Sequence, residues 1–150
     1  EKGIATSQFT LLYDSSKDGG TPDFHSKCDN QGPTVTICKT TDGYVFGGFA
    51  ANSWHSAHQY IDGNGQCFLF SLKNHLNSSP LRFDCTASRS ATYGGVGYGP
   101  TFGGGHDIRI TSNLQCTCNF PHSFSGNGYD NIFGGSNNFK LELYRVYSLK

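Results

Sequence analysis

Cysteines, histidines and clustered polar-aromatic residues are the parts of this chain with chemistry to offer, and their spacing limits what that chemistry is. Cys28, Cys38, Cys67, Cys85, Cys116 and Cys118 form an even set in a loop-rich sequence. In an oxidising compartment such a set reads as a disulfide framework. The alternative is a set of small buried thiols in an intracellular protein. Cys116 and Cys118 are two residues apart, so in an extended segment they project to the same side. Each is then expected to reach a separate partner, Cys28 or Cys38, and the pair lacks the spacing of a thioredoxin-like motif. His55 and His58 would converge on a metal only on a helix, which the Gly- and Asn-rich flank disfavours, and zinc needs further ligands. No metal or cofactor is expected. The glycines Gly103, Gly104 and Gly105 are not followed by the lysine and helix start of a phosphate loop. No nucleophile elbow accompanies the serines. Glutamate occurs only at Glu1 and Glu142, which leaves little for paired-carboxylate hydrolysis. Enzyme chemistry is not expected.

Recognition remains. A sugar site sets Asp, Asn or His beside an aromatic ring, because hydroxyls need hydrogen bonds while the C–H face of the sugar needs an apolar surface. Trp54 lies near His55, His58 and Tyr60; Tyr98 near His106 and Asp107; and Asn127 near Tyr129, Asp130 and Asn131. The candidate ligand-binding residues are therefore Trp54, His106, Asp107, Tyr129, Asp130 and Asn131. For Trp54 and Asp107 the competing role is packing or capping the fold. Asn77 begins the triplet Asn77-Ser78-Ser79, an N-glycosylation acceptor pattern in a polar turn.

The composition narrows the partners. Charged residues are 15% of the 150, against roughly a quarter in average proteins. The formal net charge is zero with no long run of either sign, so the positive field that a phosphate backbone requires is missing and nucleic acid is an unexpected partner. No apolar stretch approaches the ~20 residues of a membrane-spanning helix. The chain begins at Glu1 and contains no Met, which is read as removal of an initiator or of a longer leader. Secretion is the expected localisation, with the cytoplasm as the alternative.

The elements that must position these residues are mostly strands. With 20 glycines and an aromatic fraction of 14%, short strands and tight turns are favoured over long amphipathic helices. Strands are expected over 9–13, 34–38, 44–49, 67–72, 81–85, 102–110 and 139–147. One short helix is expected to start at Thr21-Pro22-Asp23, with Thr21 as cap, and to carry Phe24 and Cys28 on one side. Along 34–38, Val35 and Ile37 share one face and small polar groups the other; along 139–147, Phe139, Leu141 and Leu143 oppose Lys140 and Glu142. If 67–72 and 81–85 pair around Asn77, Cys67 and Cys85 fall nearly opposite and are the first disulfide candidates. Residues 112–138 show weak periodicity and read as a long irregular segment. No linker or repeat divides the chain, and 1–150 is expected to be one domain.

Several blocks then become specific. Leu11-Leu12-Tyr13 is followed by Phe24-His25, Cys28-Asp29-Asn30 and Gly32-Pro33-Thr34; Gly43 to Phe49 and Ser53-Trp54 come next. Phe68 to Leu72, Gly99-Pro100 with Phe102 to Ile108, and Phe139, Leu141, Tyr144, Val146 and Tyr147 complete the series. In order and spacing this chain resembles the TLDc family over about residues 9–147. The resemblance implies a mostly β (α+β) fold, a two-sheet antiparallel β-sandwich with one or two short helices. "Catalytic" is part of the family's name, but no reaction or catalytic residue set is established for it. Its intracellular members are associated with oxidative-stress protection and with regulation of the vacuolar proton pump. Against that background the additional cysteines and the polar-aromatic loop near Tyr129 favour a secreted lectin for glycans or glycoproteins, homo-oligomeric for avidity. The alternative is an intracellular module that contacts a protein partner such as the proton pump.

Overall fold

A computed structural model describes residues 9–149. The strands are β1 (Thr10–Asp14), β2 (Thr34–Thr40), β3 (Val45–Ala50), β4 (Gln59–Ile61), β5 (Phe68–Lys73), β6 (Leu81–Asp84), β7 (Thr92–Gly94), β8 (Thr101–Phe102), β9 (Ile108–Ile110), β10 (Gln115–Thr117) and β11 (Asn138–Ser148). The helix α1 covers Thr21–Cys28, and a 3-10 turn covers Ser88–Ser90. All the strand pairs are antiparallel. One layer runs β1-β11-β2-β3-β5-β6 and the other β4-β7-β8-β9-β10-β11. β11 belongs to both: its first residues pair with β10 and the rest with β2. The architecture is the β-sandwich with a short helix that the resemblance implied.

β11 changes layer at a register shift between Leu141 and Leu143. An extra residue in a strand reverses its alternation. Leu141 therefore points inward with Tyr144, Val146 and Ser148, while Leu143 joins Arg145 and Tyr147 on the outward side. The expectation that Leu143 shares a face with Leu141 is corrected here. The strand expected over 102–110 is likewise two short strands, β8 and β9, folded back on each other around a turn at 103–106. Gly103 has a φ of 94°, and a Cβ on it would stand 1.9 Å from an Asp107 carboxylate oxygen. Only glycine allows that turn to close.

α1 begins one residue earlier than expected. Gly20 is its cap and Thr21 its first residue. The Thr21 hydroxyl is used elsewhere: it donates to the Val96 carbonyl and accepts from Ser112. Phe24 lies wholly buried against Tyr13, Tyr144 and Trp54. In β3, Gly48 leaves room for the Phe102 ring of the other layer, which would come within 2.6 Å of a Cβ there.

Asp14 fastens β1 to β11. Its carboxylate accepts from the Ser16 amide and hydroxyl at 2.9 and 2.6 Å and from Arg145 Nε at 2.8 Å. The Ser16 hydroxyl first, and then Arg145, against the opposing effect of burial, bring this carboxyl down from 3.8 to about 2. Because the folded value lies below the unfolded one, the stabilisation is complete above about pH 4 and is lost as the pH falls toward 2. Asp14→Asn is expected to cost about 2 kcal/mol at neutral pH and to flatten the acid limb of stability over that interval. Denaturant unfolding followed by circular dichroism between pH 2 and 7 checks both.

Candidate docking face

The candidate ligand-binding residues lie in different environments, two of them in the interior. Trp54 is wholly buried, its ring 5.8 Å from Phe24 and 5.5 Å from Phe102, and its indole N–H donates to Thr34 Oγ1 at 2.9 Å. Asp107 is wholly buried too and accepts the amide hydrogens of His122, Ser123 and Phe124 at 2.8–3.2 Å. Burial pushes its carboxyl upward, against those hydrogen bonds. Neither side chain offers a group to solvent. Tyr129 rests on Phe83 at 5.6 Å, and Asp130 and Asn131 are exposed beside it in a turn where Asn131 has a φ of 63°. His106 is half-buried at the surface, and burial together with the charge of Arg109 holds its imidazole below the ordinary value. His106 meets Tyr98, with which the sequence grouped it, and also Tyr60 and Tyr93.

All six cysteines are free thiols. The register expected for Cys67 and Cys85 is present, with the Cys85 amide donating to the Cys67 carbonyl at 3.2 Å, while the Cys67 sulfur accepts from the Ala51 amide. Cys116 and Cys118 do project together, their sulfurs 4.0 Å apart. Burial and the neighbouring Cys118 push the Cys38 thiol well up, and burial does the same to Cys116. Cys28, distinct from this pair, is pushed up to about 12 by burial and by Asp29. Thiolate is the reactive form, so these side chains are held in their inert state at neutral pH. Asn77 is exposed in the turn between β5 and β6.

A continuous row of half-buried apolar side chains lies elsewhere, on the outward side of the β11-β2-β3-β5 layer. Register places Tyr147, Val35, Phe49 and Phe68 in one row across four strands, and Arg145, Ile37, Gly47 and Phe70 in the next. Leu143, Lys39 and Val45 follow. The apolar members are half-buried, not covered. Phe49 stacks on Phe68 at 5.3 Å, and Arg82 lies over Phe68 at 3.9 Å. Two adjoining grooves mark the surface. One, of about 370 Å³, is lined by Ile37, Lys39, Val45, Leu143, Arg145 and Tyr147. The other, of about 280 Å³, is lined by Phe9, Val35, Ile37 and Tyr147. Lys39 faces Glu142 at 3.4 Å and Arg145 faces Asp14 at 2.8 Å.

Sequence reasoning passed over this face although it carried a sign. In β2 the alternation sets Val35 and Ile37 against Thr34, Thr36, Cys38 and Thr40, and it is the second set that is buried. Phe68 to Leu72 is apolar on both sides except at Ser71, so one side of that strand had to remain uncovered in a two-layer fold. Apolar surface gathered in one place, with basic groups among it, is the hallmark of a site that meets another macromolecule. No helix among the described residues is long and apolar enough to cross a membrane.

The fold is a two-layer antiparallel sandwich with one open sheet face, and residues 1–150 match the family described as TLDc domain. The chain belongs to the TLDc domain family. Among curated proteins it is similar to the MTOR-associated protein MEAK7 of Gallus gallus, 43% identical over 68 residues, which are 43% of this chain and 14% of that protein. The Danio rerio protein of the same name is 42% identical over 59 residues, 39% of this chain and 12% of that protein. The Mus musculus protein is 47% identical over 47 residues, 31% and 10% of the two chains. The matched segments thus span a small part of the length of these relatives.

Proposed function

We propose that residues 1–150 act as one protein-interaction domain, and that its docking face is the outward side of the β11-β2-β3-β5 layer. The observation that carries this reading is the pair of adjoining grooves centred on Ile37 and Tyr147. A fitting partner presents a strip of apolar side chains, which fill the grooves. The relatives are named for association with mTOR, and the partner of this chain is proposed to belong to that assembly. An intracellular place accords with relatives named for association with mTOR. The glycan reading loses Trp54, which is buried, and rests on Tyr129 alone among its candidate rings.

The test is binding of the purified mTOR kinase complex to the immobilised domain, wild type against Ile37→Asp combined with Tyr147→Ala. Both positions are half-buried on the outward face, so the melting temperature should move by only a few degrees while affinity falls at least about tenfold. Equal binding by the two proteins, or no binding by either, overturns the proposal. A glycan array hit that Tyr129→Ala removes would restore the lectin reading instead.

A further inference from the structure

A second surface of different character lies on the outer side of the other layer. Tyr60 of β4 stands opposite Tyr93 of β7 in register, their rings 5.0 Å apart. Tyr98 and His106 come from the loops on either side of β8 and complete a continuous set of rings: Tyr93 is 6.0 Å from Tyr98 and 5.4 Å from His106, and Tyr98 is 5.7 Å from His106. Two internal struts hold these loops. His25 of α1 reaches the carbonyls of Gly95 and Tyr98 at 2.7 and 2.8 Å through Nε2, and Tyr60 donates to the Gly104 carbonyl at 2.7 Å. His106 itself has a φ of 58°, a left-handed conformation that side-chain-bearing residues seldom adopt and that concentrates at recognition and catalytic sites.

Arg109 of β9 lies beside these rings, its guanidinium carbon 5.3 Å from the centre of Tyr98. This cation is uncompensated. The ion pairs among the described residues use Arg82, Arg145, Lys27, Lys39 and His25, and none includes Arg109. Its Nε is buried and has no hydrogen-bond partner. Guanidinium meets carboxylate through paired, parallel hydrogen bonds, and stacking on an aromatic ring fixes the plane in which it does so. Tyrosines contribute broad apolar contact at little cost in side-chain freedom, and Tyr with Arg is the composition of interface hot spots.

We propose that Tyr60, Tyr93, Tyr98, His106 and Arg109 form a second recognition site, which takes an Asp or Glu side chain of a partner peptide on Arg109 and lays the peptide's neighbouring apolar atoms on the tyrosines. The observation that selects an acidic ligand is charge complementarity with Arg109, which is half-buried and enters none of the ion pairs among the described residues. The site is separate from the docking face centred on Ile37 and Tyr147, so each can fail alone.

Three blocked peptides identical but for a central Glu, Gln or Lys between two leucines are titrated into isotope-labelled protein and followed by nuclear magnetic resonance. The Glu peptide is expected to shift the signals of Tyr93, Tyr98, His106 and Arg109, and to bind at least about fivefold more tightly than the Gln peptide. The Lys peptide should leave them unmoved. Arg109→Gln should abolish the preference for Glu over Gln, and Tyr60→Ala, which removes a 44% exposed ring together with its strut to Gly104, should weaken all binding. Ile37→Asp should bind the Glu peptide as the wild type does. Sodium acetate and inorganic phosphate serve as separate arms; phosphate binding more tightly than the Glu peptide would overturn the assignment to a carboxylate. The proposal also falls if the Glu and Gln peptides bind alike, if Arg109→Gln keeps the preference in a folded protein, or if no signal moves at millimolar peptide.

Discussion

Trp54→Ala is expected to lower stability by about 3–5 kcal/mol, enough to bring the melting temperature down by roughly 10 °C or more in a chain of this size. Trp54 is the only tryptophan, wholly buried, and placed where the helix and both layers meet. Its edge-on contacts with Phe24 and Phe102 join α1 to β8. Its backbone takes part too: Trp54 forms a bridge with Asp29, and its carbonyl accepts from the Asn30 amide at 3.0 Å. Truncation to alanine removes the ring from an interior that has no means of closing over the space, and it leaves Thr34 Oγ1, buried, without its indole donor. Trp54→Phe separates these contributions. It keeps most of the contact area and loses the hydrogen bond, so about 1–2 kcal/mol of the loss should remain. Differential scanning calorimetry of the three proteins reads both values. Equal stability of wild type and Trp54→Ala would mean that the ring does not hold the layers together.

The second large effect is expected at Asp107. Asp107→Ala removes the acceptor for three consecutive backbone amides, those of His122, Ser123 and Phe124. Each buried amide left unpaired costs about 1–3 kcal/mol, so a total of about 3–5 kcal/mol is expected once partial exposure to water offsets some of it. The damage should be local first. Phe124 is wholly buried and bridges to Cys85, while Ser123 Oγ accepts from the Gly104 amide at 2.8 Å. Hydrogen exchange at residues 122–124 should therefore accelerate more than exchange in β2 or β3. Asp107→Asn tests the chemistry of the cap. An amide group retains one acceptor oxygen but places a donor against backbone donors, so an intermediate loss is expected. Since burial pushes the Asp107 carboxyl up, its contribution to the pH profile has the opposite sign to that of Asp14. The folded state gains from protonation there, and that gain fades as the pH rises through the elevated value.

The strands, their turns and the helix were largely readable along the chain because each depends on local features. Thr41-Asp42-Gly43 turns the chain, with Gly43 at a φ of 90°, and Pro22 opens α1. The cross-strand relation of Cys67 to Cys85 followed from a single hairpin around Asn77. The three-residue strands β4, β7 and β10, the last within the segment 112–138 read as irregular, were missed because segments that short carry too few alternations to stand out. The surface around Tyr98 and His106 was half legible: their polar-aromatic type was visible, while Tyr60, Tyr93 and Arg109 joined them only through register between β4, β7, β8 and β9.

What the amino-acid order determined by itself was which residues share a side of a strand, since alternation is built into the extended backbone. Which of the two sides is covered was decided by tertiary structure. Thr34, Thr36 and Cys38 became interior because the Trp54 indole N–H meets Thr34 and the second layer closes over that side, and Val35 and Ile37 were left outward with Tyr147. The shift between Leu141 and Leu143 then moved Leu143 from the interior pattern to the docking face. Neither outcome is a property of one strand. Burial is settled by what lies across the sandwich, and those partners are distant in sequence.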